Sequence, residues 1–146
     1  MATVSELLAR KGNAVYTIGK TKTVFEAISL MVAHNVGALV VLDEARPCGI
    51  ITERDYLRKV AVVGRMSKST FVQEIMSGQL VHVDLGTPVE ECMQRMTRAR
   101  IRHLPVLSDS QLVGIVSIGD LVKFLAEERQ HEIRELTAYI QGNYAS

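Results

Sequence analysis

Two short polar segments of this chain combine residue types that could hold a sugar phosphate. Thr52 and Asp55 lie three residues apart in one segment, and Ser117 and Asp120 have the same spacing in the other. A carboxylate can accept hydrogen bonds from both hydroxyls of a ribose, and a hydroxyl side chain can donate to a phosphate oxygen. Each segment follows an apolar run, where a strand that turns into a helix exposes amides that favour an anion. The pattern therefore admits a nucleotide site in each segment.

The same spacing is also typical of a helix N-terminus. A Ser or Thr three residues before Asp or Glu, ahead of an apolar run, forms a capping box that satisfies free helix amides without any ligand. The pattern alone favours this cap. The two interpretations do not exclude each other, because a capping residue can also contact a ligand.

Both polar segments belong to an internal repeat with an offset of 65 residues. Gly-Ile-Ile-Thr-Glu-Arg-Asp over residues 49–55 returns without a gap as Gly-Ile-Val-Ser-Ile-Gly-Asp over residues 114–120, and the same register pairs Val24 with Val89. A duplication of this size determines the architecture, since each copy must fold in the same way. The differences between the copies are then candidates for function.

Each copy has the pattern of strand, helix, strand, strand and helix. Apolar residues at helical spacing mark the helices, and alternating or wholly apolar runs mark the strands. In chain order the elements lie at 14–18, 24–31, 37–42, 49–51 and 56–63 in the first copy, and at 80–83, 89–96, 102–107, 114–116 and 121–128 in the second.

Capping signals and lead-in segments are also duplicated. Thr87–Glu90 predicts a capping box with proline at the first helical position, and Thr23–Glu26 predicts its counterpart. Residues 3–8 resemble residues 70–76, and each opens with a threonine that we expect to cap a short lead-in helix.

The last segment predicts a further helix that has no equivalent after the first copy. Ile133, Leu136 and Ile140 form one apolar stripe, and the helix is expected to end near Gly142. The stripe could face a partner or pack on its own domain, and the sequence leaves both open.

Composition limits the classes of function. The chain has 146 residues with a net charge of +1, and its apolar share of 47% and charged share of 23% are typical of a globular protein that folds alone. No apolar run approaches the length of a membrane span, and no secretory signal is expected. Cys48 and Cys92 lack metal-ligand spacing and indicate core residues in a reducing compartment. We expect a cytoplasmic protein, with an organelle after processing left open.

The ordered set of motifs resembles a tandem pair of CBS (cystathionine β-synthase) domains, also called a Bateman module. The motifs are Val-x-Glu-Ile-Met at residues 72–76, the stretch Ile-Arg-His-Leu-Pro-Val at 101–106, and the two Gly-Ile-x-[Thr/Ser]-x-x-Asp segments. The resemblance covers nearly the whole chain. It implies an α/β (α+β) fold of two βαββα repeats related by pseudo-twofold symmetry, with flanking helices. It also implies clefts between the repeats that bind adenine nucleotides in many members, and pairing of two chains into a disc of four repeats.

We predict three parts of the chain on this basis. Residues 1–68 form the first repeat with its lead-in helix and linker, residues 69–126 form the second repeat, and residues 127–146 form the C-terminal helix. The two repeats together form one module.

The resemblance implies that each cleft is completed by the opposite repeat. Opposite the second aspartate lie Tyr16, Gly37 and Ala38. Opposite the first aspartate lie Val81, Arg102 and His103. The implied nucleotide-binding residues are Tyr16, Gly37, Ala38, Thr52, Arg54, Asp55, Val81, Arg102, His103, Ile115, Ser117 and Asp120. Arg54 and Arg102 would give the first cleft more positive charge, so the two clefts are predicted to differ.

The predicted function is that of a non-enzymatic regulatory sensor in signal transduction. It would bind AMP, ADP, ATP or NAD, form a homodimer and report occupancy to a regulated protein that the sequence does not identify. No catalytic residue, metal or membrane partner is expected. A basic cluster that includes Arg95 and Arg98 has no interleaved aromatic residues, which argues against nucleic acid. The alternatives are a ligand-independent dimeric scaffold and, less favoured, a nucleotide-processing enzyme.

Overall fold

A computed structural model describes residues 1–142. In chain order the elements are α1 (Val4–Lys11), β1 (Thr17–Gly19), α2 (Val24–His34), β2 (Ala38–Asp43), β3 (Arg46–Thr52), α3 (Glu53–Tyr56), a π-helical turn (Leu57–Ala61), a 3₁₀ turn (Ser67–Ser69), α4 (Val72–Ile75), α5 (Val89–Ala99), β4 (His103–Ser108), β5 (Gln111–Ser117) and α6 (Ile118–Ile140).

The two copies build matching hairpins. Strand β2 runs antiparallel to β3 and parallel to β1, and β4 runs antiparallel to β5. Both hairpins have a register shift at the same place, between Val41 and Leu42 and between Val106 and Leu107. Both also turn through two residues with positive φ, as a two-residue hairpin requires. The predicted α/β repeat is confirmed, and its 65-residue offset holds in three dimensions.

The predicted opening strands are shorter than expected. Residues 14–18 contribute a strand only from Thr17, and the predicted strand 80–83 is wrong, because only Val83 pairs, through a parallel bridge to Val106. Before this bridge the Val81 N–H donates to the Gln79 carbonyl at 3.1 Å. This tight local turn uses the amide that a strand would pair with its neighbour.

Only some of the predicted caps form. The Thr23 hydroxyl and the Glu26 carboxylate make the expected capping box of α2. The predicted cap at Thr87 is wrong, because its hydroxyl bonds to Asp84 and Pro88 takes the cap position of α5. The lead-in caps are wrong too. Helix α1 has no side-chain cap, and the Thr70 hydroxyl donates to the Met66 carbonyl instead.

Each lead-in helix packs into the core of the repeat that does not follow it directly in the sequence. Val4, Leu7 and Leu8 of α1 are buried in the core of the second repeat. Val72 and Ile75 of α4 are buried in the core of the first repeat. The predicted boundaries between the three parts, after residue 68 and after residue 126, therefore stay a prediction based on chain order. In the structure, the two hydrophobic cores exchange their lead-in helices.

The last two predicted helices form one continuous helix. The segment 121–128 and the C-terminal helix from residue 127 both lie within α6, because no Gly or Pro interrupts the sequence between residues 120 and 140. Leu121 and Phe124 are buried. The stripe residues Ile133, Leu136 and Ile140 are 50%, 61% and 74% exposed, so the stripe does not pack on its own domain.

The corresponding helix of the first repeat differs in form. It was expected over 56–63, but it begins at Glu53 and continues after Tyr56 as the π-helical turn. The Val62 N–H donates to the Leu57 carbonyl at 3.0 Å, five residues back. Such turns are uncommon and often occur at functional sites.

Candidate nucleotide clefts

The first polar segment forms a complete capping box at the start of α3. The Asp55 N–H donates to Thr52 Oγ1 at 3.2 Å. Asp55 Oδ2 accepts the Thr52 N–H at 2.9 Å and the Thr52 hydroxyl at 3.1 Å. The second oxygen, Oδ1, takes no part in the cap and lies 3.3 Å from Lys59 Nζ. One oxygen of the carboxylate thus holds the helix, and the other contacts Lys59.

The second polar segment forms the same cap at the start of α6, but its surroundings differ. The Asp120 N–H donates to Ser117 Oγ at 3.1 Å, and Asp120 Oδ2 accepts the Ser117 N–H at 2.8 Å. Lys11 Nζ, at the end of α1, lies 2.8 Å from Asp120 Oδ2 and donates to the Ile115 carbonyl at 2.7 Å. The chain's own ammonium group therefore shares the cap oxygen of Asp120 with the Ser117 N–H and also binds the Ile115 carbonyl.

Lys11 also changes the acidity of Asp120. Burial by itself would raise the pKa of this carboxyl. The Lys11 ammonium and the hydrogen bonds from Ser117 outweigh burial and hold the Asp120 pKa below its ordinary value. Asp120 is therefore an ionised partner of Lys11 at neutral pH.

The Asp55 segment opens onto a cleft of about 580 Å³ between the repeats. Six of the predicted residues line it: Gly37, Thr52, Arg54, Asp55, Arg102 and His103. It also contains Ile50, Glu53, Arg58, Lys59, Ser77, Arg100 and Ile101, which were not predicted. Two signals could have identified the missed cations: Arg58 and Lys59 lie one helical turn after Asp55, and Arg100 lies two residues before Arg102.

Three predicted residues lie elsewhere, and a fourth, Gly37, lines a different cleft from the one expected. The Tyr16 ring stacks on the His34 ring with centroids 3.9 Å apart. Val81 lines a separate groove with Arg95 and Arg98. The side chain of Ala38 is buried. Gly37, expected opposite Asp120, lines the Asp55 cleft, because its carbonyl accepts the Glu53 N–H at 3.1 Å.

His103 lies between the two polar segments. It lines the Asp55 cleft, and it is close enough to Asp120 for that charge to affect its ionisation. Burial lowers the pKa of His103, while Asp120 and Glu53 partly oppose this by favouring the protonated ring. The imidazole is therefore neutral near pH 7 and can donate or accept a hydrogen bond.

Neither cysteine is prepared for chemistry. Burial raises the pKa of the Cys92 thiol to about 11 and also raises the pKa of Cys48. Over residues 1–142, no three His, Cys, Asp or Glu side chains come together as a metal site. None of the helices in this part of the chain is long and apolar enough to cross a membrane.

Comparison with known proteins identifies the repeat. The family model of the CBS domain matches twice, at residues 4–62 and 72–127. The mitochondrial CBS domain-containing protein CBSX3 of Arabidopsis thaliana is 45% identical over 97% of this chain and 73% of its own length. The crystal structure of a protein with CBS domains from Burkholderia ambifaria is 46% identical, with a TM-score of 0.82 over 85% of this chain and 93% of that one.

A more distant structure shares the fold. It is a CBS domain pair solved in complex with methylthioadenosine and S-adenosyl-L-methionine. Its TM-score is 0.76 over 88% of this chain and 98% of that one, at 23% identity.

Proposed function

This chain belongs to the CBS-domain family, and from that premise we propose that it is a non-enzymatic regulatory module that binds an adenine nucleotide in the Asp55 cleft. The observation that carries the proposal is the composition of that cleft. A capped aspartate from the first repeat faces Arg102 and His103 from the second, within about 580 Å³. The fold is compatible with such a ligand, since a CBS domain pair of the same fold was crystallised with two adenosine compounds.

Asp55 would bind the ribose through the oxygen that the cap leaves available. Oδ2 is committed to Thr52, whereas Oδ1 contacts the ammonium group of Lys59 at 3.3 Å. Lys59 Nζ also donates to the Ile75 carbonyl at 2.9 Å, so it can stay bound when a ribose hydroxyl approaches Oδ1. The helix cap and the ligand therefore use different edges of one carboxylate.

The regulatory effect would follow from the position of the ligand between repeats. A nucleotide that contacts Asp55 and Arg102 together favours the arrangement in which both lie within reach. A tenfold preference for that arrangement corresponds to about 1.4 kcal/mol. This is enough to change the affinity for a regulated protein and too little to hold it in one state.

We further propose a homodimer of four repeats. Apolar side chains are exposed on α2 and on the segment after the π-helical turn, and Val32, Val62 and Met66 are 76%, 80% and 69% exposed. Apolar groups in such number are typical of a surface that a second copy covers. Light scattering after size-exclusion chromatography should give twice the monomer mass of 16.2 kDa.

We propose that the protein works in the cytoplasm or, as the name of the Arabidopsis relative suggests, in an organelle.

Isothermal titration calorimetry with AMP, ADP, ATP and NAD tests the binding. At least one of them should bind, and Asp55→Ala should weaken it by tenfold or more, while Asp120→Ala should leave the affinity within about threefold. If none of the four produces heat or a thermal shift, the protein is a ligand-independent scaffold. Repeated turnover of a nucleotide that Asp55→Ala abolishes would indicate an enzyme instead.

A further inference from the structure

Four arginines line the Asp55 cleft without a carboxylate partner among the described residues. Arg54 and Arg58 come from the start of the second helix of the first repeat, and Arg100 and Arg102 come from the connection between α5 and β4. Over residues 1–142, none of the four takes part in an ion pair or a side-chain hydrogen bond. By contrast, Arg65 and Arg95 on other faces are each paired with a glutamate.

The charges that line the cleft do not balance. Its five cations are Arg54, Arg58, Lys59, Arg100 and Arg102, and its two carboxylates are Glu53 and Asp55, which leaves three positive charges in excess. Asp55 already contacts Lys59 at 3.3 Å, so the excess resides on the arginines. Guanidinium groups bind phosphate oxygens in pairs of hydrogen bonds, and four of them offer more donors than one phosphate can accept.

Arg100 occupies a backbone position that does not suit arginine. It caps the end of α5 with φ 56°, in the left-handed region, and the equivalent residue at the end of α2 is Asn35 with φ 52°. Asparagine tolerates this region, whereas most other side chains are disfavoured there by about 1 kcal/mol. The second repeat thus has an arginine that lines the cleft where the first repeat has the residue that the backbone favours.

We propose that the Asp55 cleft selects nucleotides with two or more linked phosphoryl groups over nucleoside monophosphates, with Arg100 as a selectivity residue. The inference rests on the proposed function and narrows its ligand. A monophosphate carries about two negative charges at neutral pH, and each further phosphoryl group adds about one. A diphosphate or triphosphate therefore matches the excess charge, and Arg54, Arg100 and Arg102 would share its phosphate oxygens.

Calorimetry at fixed ionic strength tests the selectivity with AMP, ADP, ATP and NAD, and with S-adenosyl-L-methionine as a cationic adenosine compound. ADP or ATP should bind at least tenfold more tightly than AMP, and S-adenosyl-L-methionine more weakly than either. NAD separates two sources of linked phosphates. Binding of NAD equal to that of ADP indicates recognition of an internal pyrophosphate, and weaker binding indicates recognition of a terminal phosphate chain.

The variant Arg100→Asn separates a ligand role from a structural one. It copies Asn35, so the melting temperature should stay level or rise. The affinity for ADP and ATP should fall about tenfold, with the affinity for AMP within about threefold. Arg98→Asn is the matched control, because Arg98 carries the same charge, lies two residues away and lines a different groove.

Two results would overturn the inference. One is equal or tighter binding of AMP than of ADP and ATP. The other is an equal effect of Arg98→Asn and Arg100→Asn on ATP affinity. That result would show that Arg100 contributes only through its positive charge. Both results leave an adenine nucleotide bound, so they are distinct from failure of the proposed function, in which none of the compounds binds.

Discussion

The Asp55 and Asp120 segments share one backbone and one cap, and they differ in what their neighbours place against them. Asp55 faces an open cleft with unpaired arginines. Asp120 faces Lys11, whose ammonium group lies 2.8 Å from the carboxylate. The duplicated residues therefore preserve the folding of each repeat, whereas residues outside the duplicated segment set the charges and contacts around each aspartate.

The different surroundings of Asp55 and Asp120 arise from the different lengths of the lead-in helices. Helix α1 has eight residues and continues to Lys11, which reaches the second repeat's aspartate. Helix α4 has four residues and ends at Ile75. The chain then bridges Ser77 to Ile50, with a hydrogen bond of 2.9 Å from the Ser77 N–H to the Ile50 carbonyl. This bridge keeps α4 from extending over the Asp55 cleft.

The largest expected effect concerns the exchange of lead-in helices. Leu7 is 1% exposed in the second core, and Leu7→Ala should destabilise the protein by about 2–5 kcal/mol. Hydrogen exchange should increase first in α5 and β4 of the second repeat. In the mirrored variant Ile75→Ala it should increase first in α2 and β2 of the first repeat. Equal effects on both repeats in both variants would contradict the assignment of each helix to the opposite core.

A smaller effect should distinguish two equivalent glycines. A Cβ at Gly49 would lie 2.4 Å from the Ser77 carbonyl oxygen, whereas a Cβ at Gly114 would lie 3.0 Å from a methyl group of Leu8. A backbone carbonyl cannot move as a side chain can. Gly49→Ala should therefore cost about 2–3 kcal/mol and Gly114→Ala about 1 kcal/mol or less in urea unfolding. The reverse order would show that the Ser77 bridge is easily displaced.

Removal of Lys11 should change the surroundings of Asp120 with little effect on stability. The side chains of Lys11 and Asp120 are 27% and 26% exposed, so Lys11→Met should cost less than about 1 kcal/mol. The pKa of Asp120, followed by NMR, should rise because its ammonium partner is lost. We also expect a second, weaker nucleotide-binding event in calorimetry. Lys20→Met, which removes the Asp43 ion pair outside both clefts, is the control.

The smallest effect is on the pH dependence of stability. Burial lowers the pKa of His103 below its ordinary 6.5, so the unfolded chain takes up this proton at a higher pH than the folded one. The contribution of neutral His103 to stability is therefore present in full above pH 6.5 and is lost as the pH falls below that value. His103→Gln should reduce the slope of melting temperature against pH between about pH 5 and 6.5. An unchanged slope would show that the loss of stability at low pH comes from the carboxylates, including Asp120.

Only some of the features that repeat in the sequence were predictable, since the caps expected at Thr87 and in the lead-in segments do not form. The hairpins and the caps at Thr52 and Ser117 follow from local spacing. The exchange of the lead-in helices was not predictable in this way, since periodicity identifies an apolar face and does not say which core receives it.

The contacts that make the clefts differ were also hidden. Lys11 and Asp120 are 109 positions apart, and no sequence motif contains both. The resemblance located the cleft residues Arg102 and His103. Arg58 and Arg100 lie outside the motifs that carry the resemblance, so they were missed although their spacing from Asp55 and Arg102 was visible in the sequence.

The exchange of lead-in helices has a consequence for synthesis of the chain on the ribosome. Helix α1 is made first, yet its apolar side chains Leu7 and Leu8 pack with Leu104, Val116 and Leu121, which are among the last core residues to emerge. At about 5–20 residues per second, α1 waits for several seconds before these partners are available. The first repeat also stays incomplete until residue 75 has emerged. Neither repeat can therefore finish folding during early translation, and α1 is the element that stays unpacked for the longest time.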